Sequence, residues 1–195
     1  MSLSPALKQL PNAISIARLC AVPILAWLAY SHREQAFTWL LVAALFSDAA
    51  DGYIARAFSL TSSTGAMLDS IADAVLMGII GYGTWVFHPI VFQEHGVILG
   101  SIMFLWLVEH IAAIVRYGRP SSFHTSLVRI AVAAVSIFIV LLFVAGFNKW
   151  LFYVAATLSL GAVVEQLTML WFVPEWTPNI RGGLLEVIRR RRRVT

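Results

Sequence analysis

Residues 37–88 read FTWLLVAALFSDAADGYIARAFSLTSSTGAMLDSIADAVLMGIIGYGTWVFH, and this stretch decides the fold. It holds two apolar runs, residues 37–58 and 66–88, each long enough at 1.5 Å per helical residue to cross a hydrocarbon core of about 30 Å. Asp48, Asp51, Asp69 and Asp73 lie inside those runs. A charge at the bilayer centre costs roughly 2.5 to 3.5 kcal/mol, so the four together would cost on the order of 10 kcal/mol if nothing neutralised them. A membrane hairpin that carries such residues has a use for them.

Outward from this hairpin, further apolar runs cover residues 13–30, 97–115, 127–147 and 150–173. The chain has 195 residues, of which 59% are hydrophobic and 12% charged, with a mean hydropathy of +0.81. Such a composition leaves too little polar surface to wrap a soluble globule. The expected fold is an all-α integral membrane protein with six transmembrane helices, residues 1–195 forming one membrane domain with a basic tail at about 181–195. No linker, soluble domain or internal repeat stands out.

Lys and Arg accumulate in cytoplasmic loops. Lys8, Arg18, Arg56, Arg116, Arg119, Arg129, Arg181 and Arg189 to Arg193 fall on one side of a six-span arrangement, and only Arg33 and Lys149 on the other. Both termini are therefore expected in the cytoplasm, as is the turn between the two aspartate pairs. The first apolar run follows a single early Lys, lacks a small-residue cleavage site and contains Arg18, so it reads as a span and not as a cleaved leader. Cys20 is the sole cysteine and reads as a small packing residue. Tyr30, Trp85, Trp150 and Trp171 stand near span ends, where interfacial anchors belong. The run of arginines at 189–193 reads as an anchor to an anionic leaflet, each residue contributing about 1 kcal/mol of attraction. No nucleic-acid reading module accompanies it, and no nucleic-acid partner is expected.

At 100° per residue, Asp48, Asp51, Gly52 and Ala55 share a stripe of about 100° on one helix, while Gly65, Asp69 and Asp73 recur every fourth residue on the next. The small residues remove bulk where a ligand approaches the backbone. Oxygen-only donors favour hard cations such as Mg²⁺ or Mn²⁺, which take a few carboxylates together with substrate phosphate oxygens. Four carboxylates suffice for two ions, and a two-metal clamp suits displacement at phosphorus. The expected reaction is therefore transfer at a phosphate.

The pattern Asp48-x2-Asp51-Gly52-x2-Ala55-Arg56-x8-Gly65-x3-Asp69-x3-Asp73 resembles, without a departure, the signature of the CDP-alcohol phosphatidyltransferases. The resemblance implies that Asp48, Asp51, Asp69 and Asp73 ligate the metals and that Asp73 also acts as general base on the acceptor hydroxyl. It implies that Gly52, Ala55, Arg56 and Gly65 shape the cytidine diphosphate site and that CMP leaves. Spacing alone does not single out the base. Upstream, Pro11, Asn12, Ser15 and Arg18 resemble the family's Pro-Asn-x2-Thr-x2-Arg opening with Ser for Thr. This would bring Asn12, Ser15 and Arg18 to the donor diphosphate; a helix start at Pro11 and a snorkelling Arg18 are the plainer readings. The resemblance further implies a CDP-diacylglycerol donor, a small or lipid alcohol acceptor, a homodimer among membrane lipids, and an active site facing the cytoplasm, here expected at a bacterial inner membrane.

The acceptor is expected near RYGRPSSFHTSLVR, residues 116–129, where Arg116, Arg129 and His124 could clasp the phosphate of glycerol 3-phosphate and Arg119 reads as a loop charge. The His124-Thr125 pair followed by Arg129 departs from the basic and threonine pattern usual in members that make phosphatidylglycerophosphate. Phosphatidylglycerol, inositol derivatives, serine and choline therefore stay open as acceptors, as does a diacylglycerol acceptor with a CDP-linked headgroup as donor. Glu109 is expected to pair with Arg116 or Arg129 or to hydrogen-bond between helices, Glu165 beside Gln166 to pack or form a dimer contact, and His32, His88 and His95 to sit at the interface. A divalent-cation transporter would also explain intramembrane carboxylates, but it requires neither the glycines nor Arg56.

Overall fold

The computed structural model describes the backbone of residues 5–57, 63–118, 125–173 and 184, and the side chains of residues 13–47, 72, 74–118, 125–173 and 184. Its helices are α1 (Pro5–Tyr30), α2 (Glu34–Ala57), α3 (Ser63–Phe87), α4 (Ile90–Tyr117), α5 (Ser126–Ala145) and α6 (Lys149–Phe172). The six expected apolar runs thus become six helices. Among the described residues, four stretches are long and apolar enough to cross a membrane: Ala13–Tyr30 of α1 and the whole of α4, α5 and α6. α2 and α3 are comparably long, and among the residues whose side chains are described their apolar parts are Glu34–Ser47 and Ala74–Phe87. Large apolar side chains stand outward, among them Val97 at 85%, Val115 at 82% and Trp171 at 83% exposure. Surface of that kind is stable in lipid and not in water, and the protein is an integral membrane protein.

The chain divides into two units, Met1–Phe92 and Gln93–Thr195. In the first, α1 packs against both α2 and α3, which touch each other only lightly. Leu25, Leu28 and Ala29 of α1, Phe37, Leu41 and Ala44 of α2, and Ala72, Leu76, Ile79 and Ile80 of α3 are buried. Phe37 lies against Gly83 so closely that a Cβ there would overlap its ring, and the ring also meets Phe87 at 5.4 Å between centroids. Helix α1 ends in a Schellman motif: Arg33 N–H donates to Leu28 C=O at 2.9 Å and His32 N–H to Ala29 C=O at 3.1 Å, with His32 left-handed at φ 53°. Arg33 then covers the Trp27 ring at 5.0 Å. After α3, His88 Nε2 stands 3.5 Å from the Glu34 carboxylate. Burial lowers the His88 imidazole below its ordinary value of 6.5, against the upward pull of Glu34.

In the second unit α5 and α6 pack along each other. Thr125 caps α5 by accepting from Val128 N–H, and Asn148 caps α6 by accepting from Leu151 N–H. At the end of α4, Gly118 takes a left-handed φ of 68° and returns its N–H to Ile114 C=O, the αL stop that glycine adopts without steric cost. His95, in the second turn of α4, is buried at 8% exposure, stacked on Phe152 at 4.4 Å and Phe147 at 5.3 Å. Its flat, part-apolar ring fills an aromatic cluster that hydropathy alone does not reveal. His32 is exposed and His88 intermediate. Tyr30, Trp85, Trp150 and Trp171 are all exposed close to helix ends, as anchoring requires.

Candidate active site

Helix α2 carries Asp48, Asp51, Gly52, Ala55 and Arg56 in its last three turns, and α3 carries Gly65, Asp69 and Asp73 in its first three. Only residues 58–62 separate the two helices, so both halves of the pattern belong to one unit. The side chains at these eight positions lie outside the described residues, as do those of Pro11 and Asn12. Among the described residues there is no group of three or more His, Cys, Asp or Glu that could hold a metal ion. The set of four carboxylates on two helices that both pack against α1 fits a hard divalent cation in donor chemistry, since oxygen is the only donor element offered.

Helix α1 contributes the two described polar side chains of the pattern. Ser15 is 3% exposed and Arg18 2% exposed, three residues apart on one face, and each interacts with neighbouring groups. Arg18 is therefore not a snorkelling residue, whose head would be in water. Nor is Pro11 a helix start, because α1 begins at Pro5. A guanidinium held out of water in a membrane helix is costly unless compensated, and this burial ranks Arg18 above every other described cation. Cys20 is exposed on the same helix, and is not the packing residue expected of it.

The residues expected around the acceptor fall at the end of α4 and the start of α5. Arg116 is exposed, lies over the Tyr117 ring at 5.7 Å and reaches the Val173 carbonyl at 3.5 Å, which also accepts from Tyr117 Oη at 2.7 Å. Arg129 is exposed in the first turn of α5, its N–H on Thr125 C=O. His124 and Arg119 lie outside the described residues. Glu109 is fully buried and pairs with neither arginine: its Oε2 is 2.7 Å from His110 Nδ1. Arg116 lies seven residues on, about 10 Å along the helix, and turns toward Val173.

Sequence reasoning missed one arrangement. Thr125, fully buried, donates its hydroxyl to Glu165 Oε2 at 2.6 Å, and Glu165 Oε1 accepts the Leu184 backbone N–H at 3.2 Å. Glu165 is thus an internal bridge, the packing contact of the two roles expected of it. A threonine just before an apolar helical run signals a cap, but nothing in the spacing signals a carboxylate 40 residues on.

Comparison with known proteins adds an independent finding. The family model described as CDP-alcohol phosphatidyltransferase matches residues 8–161. A CDP-diacylglycerol–glycerol-3-phosphate 3-phosphatidyltransferase of Rickettsia typhi is 40% identical over 77 residues, 38% of this chain and 43% of its own. A cardiolipin synthase (CMP-forming) / mitochondrial hydrolase fusion protein of Schizosaccharomyces pombe is 44% identical over 69 residues, 35% of this chain and 11% of its own. A CDP-diacylglycerol–serine O-phosphatidyltransferase of Mycobacterium bovis is 37% identical over 73 residues, 37% of this chain and 26% of its own. The matched stretch therefore spans less than half the length of these curated relatives. No solved structure matches.

Proposed function

The chain belongs to the CDP-alcohol phosphatidyltransferase family, and from that premise we propose that it moves the phosphatidyl group of CDP-diacylglycerol onto glycerol 3-phosphate and releases CMP. The observation that carries this reading is the complete signature between Asp48 and Asp73, borne by two helices of one unit. The acceptor is supported by several matched relatives whose names specify glycerol 3-phosphate. The family match crosses both units, which favours one catalytic domain over residues 1–195.

In this reading Asp48, Asp51, Asp69 and Asp73 hold two Mg²⁺ or Mn²⁺ ions, which when bound supply charge compensation for the attacking and leaving oxygens. Gly52, Ala55 and Gly65 leave room for the cytidine, and Arg56 and Arg18 face the diphosphate, with Asn12 and Ser15 donating beside them. Arg116, Arg129 and His124 orient the acceptor phosphate. Asp73 takes the proton of the acceptor hydroxyl as its oxygen bonds to the phosphatidyl phosphorus. The bond from that phosphorus to the bridging diphosphate oxygen breaks, and CMP departs with the electron pair. α2 and α3 complete six spans, both termini and the site face the cytoplasm, and the charge asymmetry of the loops supports this. Bacterial matches favour an inner membrane, and a homodimer belongs to the same reading through the family resemblance.

A lipid alcohol acceptor, phosphatidylglycerol, is the second reading, and the match to a CMP-forming cardiolipin synthase favours it. The residue roles are tested by substitution and chelation. Chelation should abolish turnover and Mg²⁺ or Mn²⁺ restore it. Asp73→Asn should lose most turnover while retaining CDP-diacylglycerol binding, whereas Asp48→Asn and Asp69→Asn should weaken metal binding as well. A near-normal rate in Asp73→Asn would remove the base assignment.

A further inference from the structure

Glu165 lies on α6, about two turns before the helix ends at Phe172. A carboxylate within a membrane helix is costly unless its oxygens are satisfied, so its contacts matter. Both oxygens are engaged, one by a fully buried hydroxyl and the other by a backbone N–H. Those two donors come from places far apart in sequence, the cap of α5 and the Leu184 backbone.

The Thr125 hydroxyl both donates and accepts in this arrangement. Its hydrogen goes to Glu165, and its oxygen accepts the Val128 N–H that opens α5. The charge of Glu165 also stands at the positive end of the α5 dipole, which favours an anion there. One carboxylate therefore fixes where α5 begins. Arg129 is one turn further along α5, with its N–H on the Thr125 carbonyl, and His124 precedes Thr125 directly.

We infer that Glu165 is a positioning residue for the acceptor: through Thr125 it sets the first turn of α5, and with it the groups that bind the acceptor phosphate, while the same carboxylate accepts the Leu184 N–H. The inference rests on the acceptor site proposed at the start of α5. The metal and donor residues of that reading belong to α1 to α3, and Glu165 to α6. Because Glu165 acts through Thr125, its loss should appear in acceptor affinity and not in donor affinity or in the chemical step.

The test measures CMP release by the full-length protein, with acceptor varied at saturating CDP-diacylglycerol and then the reverse. Thr125→Val, which keeps shape and removes the hydroxyl, should raise the acceptor KM about tenfold, the size of one lost charge-assisted hydrogen bond. The kcat and the donor KM should stay within about twofold of wild type on the same grounds. Glu165→Gln should move the same parameter in the same direction, Thr125→Ser should restore the wild-type value, and the Thr125→Val/Glu165→Gln double variant should be no worse than Thr125→Val alone, because the two act as one unit. Amide exchange at Val128, read without activity, should quicken in Thr125→Val and not in Thr125→Ser. An active wild type whose variants keep the acceptor KM, or lose kcat and both KM values together, overturns the inference and leaves the proposed function standing. A wild type that releases no CMP with any acceptor removes the proposed function and this inference with it.

Discussion

Replacing Arg18 by Met is the perturbation whose consequences follow most directly from the structure. The side chain is 2% exposed, so whatever it binds is unscreened, and the ceiling of about 1 kcal/mol that applies to surface pairs does not hold. A hydrogen bond from a buried guanidinium to a phosphate oxygen contributes roughly 1.5 to 3 kcal/mol, a factor of about ten to a hundred in binding. Met fills most of the same volume and carries no desolvation cost, so the folded state should tolerate it better than Ala. Expected, therefore, is a ten- to hundredfold loss in kcat/KM for CDP-diacylglycerol, with the acceptor KM near wild type. Arg18→Lys should recover only part of the loss, because an ammonium keeps the charge and lacks the planar fork that matches phosphate. The assay is initial-rate CMP release, normalised to folded protein by thermal unfolding in detergent. The reasoning is refuted if Arg18→Met keeps normal donor kinetics per folded molecule while unfolding far more easily, since the buried charge would then serve the fold alone.

Gly83→Ala should destabilise the first unit by about 1 to 3 kcal/mol, because its Cβ meets the ring of Phe37, which is fully buried; thermal unfolding checks this, and Phe37→Leu in the same chain should recover part of the loss. Lowering pH should expose His88. Its folded value lies below 6.5, so the unfolded chain binds the proton first, and stability that is complete above pH 6.5 declines as pH falls below it. The difference in unfolding temperature between wild type and His88→Gln, followed from pH 8 down to about 5.5, isolates this histidine; a difference that is flat with pH would contradict its burial as the neutral form.

The helices were legible because each apolar run has to bury its own backbone polarity in lipid, which leaves little but a helix. The end of α1 at Tyr30 and the span of α6 follow the hydropathy to within a residue. The start of α1 does not, since Pro5 to Asn12 extend the helix beyond the apolar run. The signature was legible for a different reason: fixed spacings of acids and small residues along a helix are local, and locality is what a sequence displays. Partners across helices are not local. Glu109 looked like a mate for Arg116, yet seven residues of helix separate them, and the adjacent His110 takes the carboxylate. Thr125 and Glu165 showed no mutual signal, and His95 carried a polar label into an aromatic cluster.

The most direct measurement is CMP release by the purified chain given CDP-diacylglycerol, Mg²⁺ or Mn²⁺, and one alcohol at a time from a panel of glycerol 3-phosphate, phosphatidylglycerol, serine, inositol derivatives and choline. Expected is metal-dependent release with a single acceptor standing out, glycerol 3-phosphate, and a phosphatidyl product that carries that acceptor. Silence across the whole panel, together with divalent-cation flux through proteoliposomes holding the same protein, would contradict it.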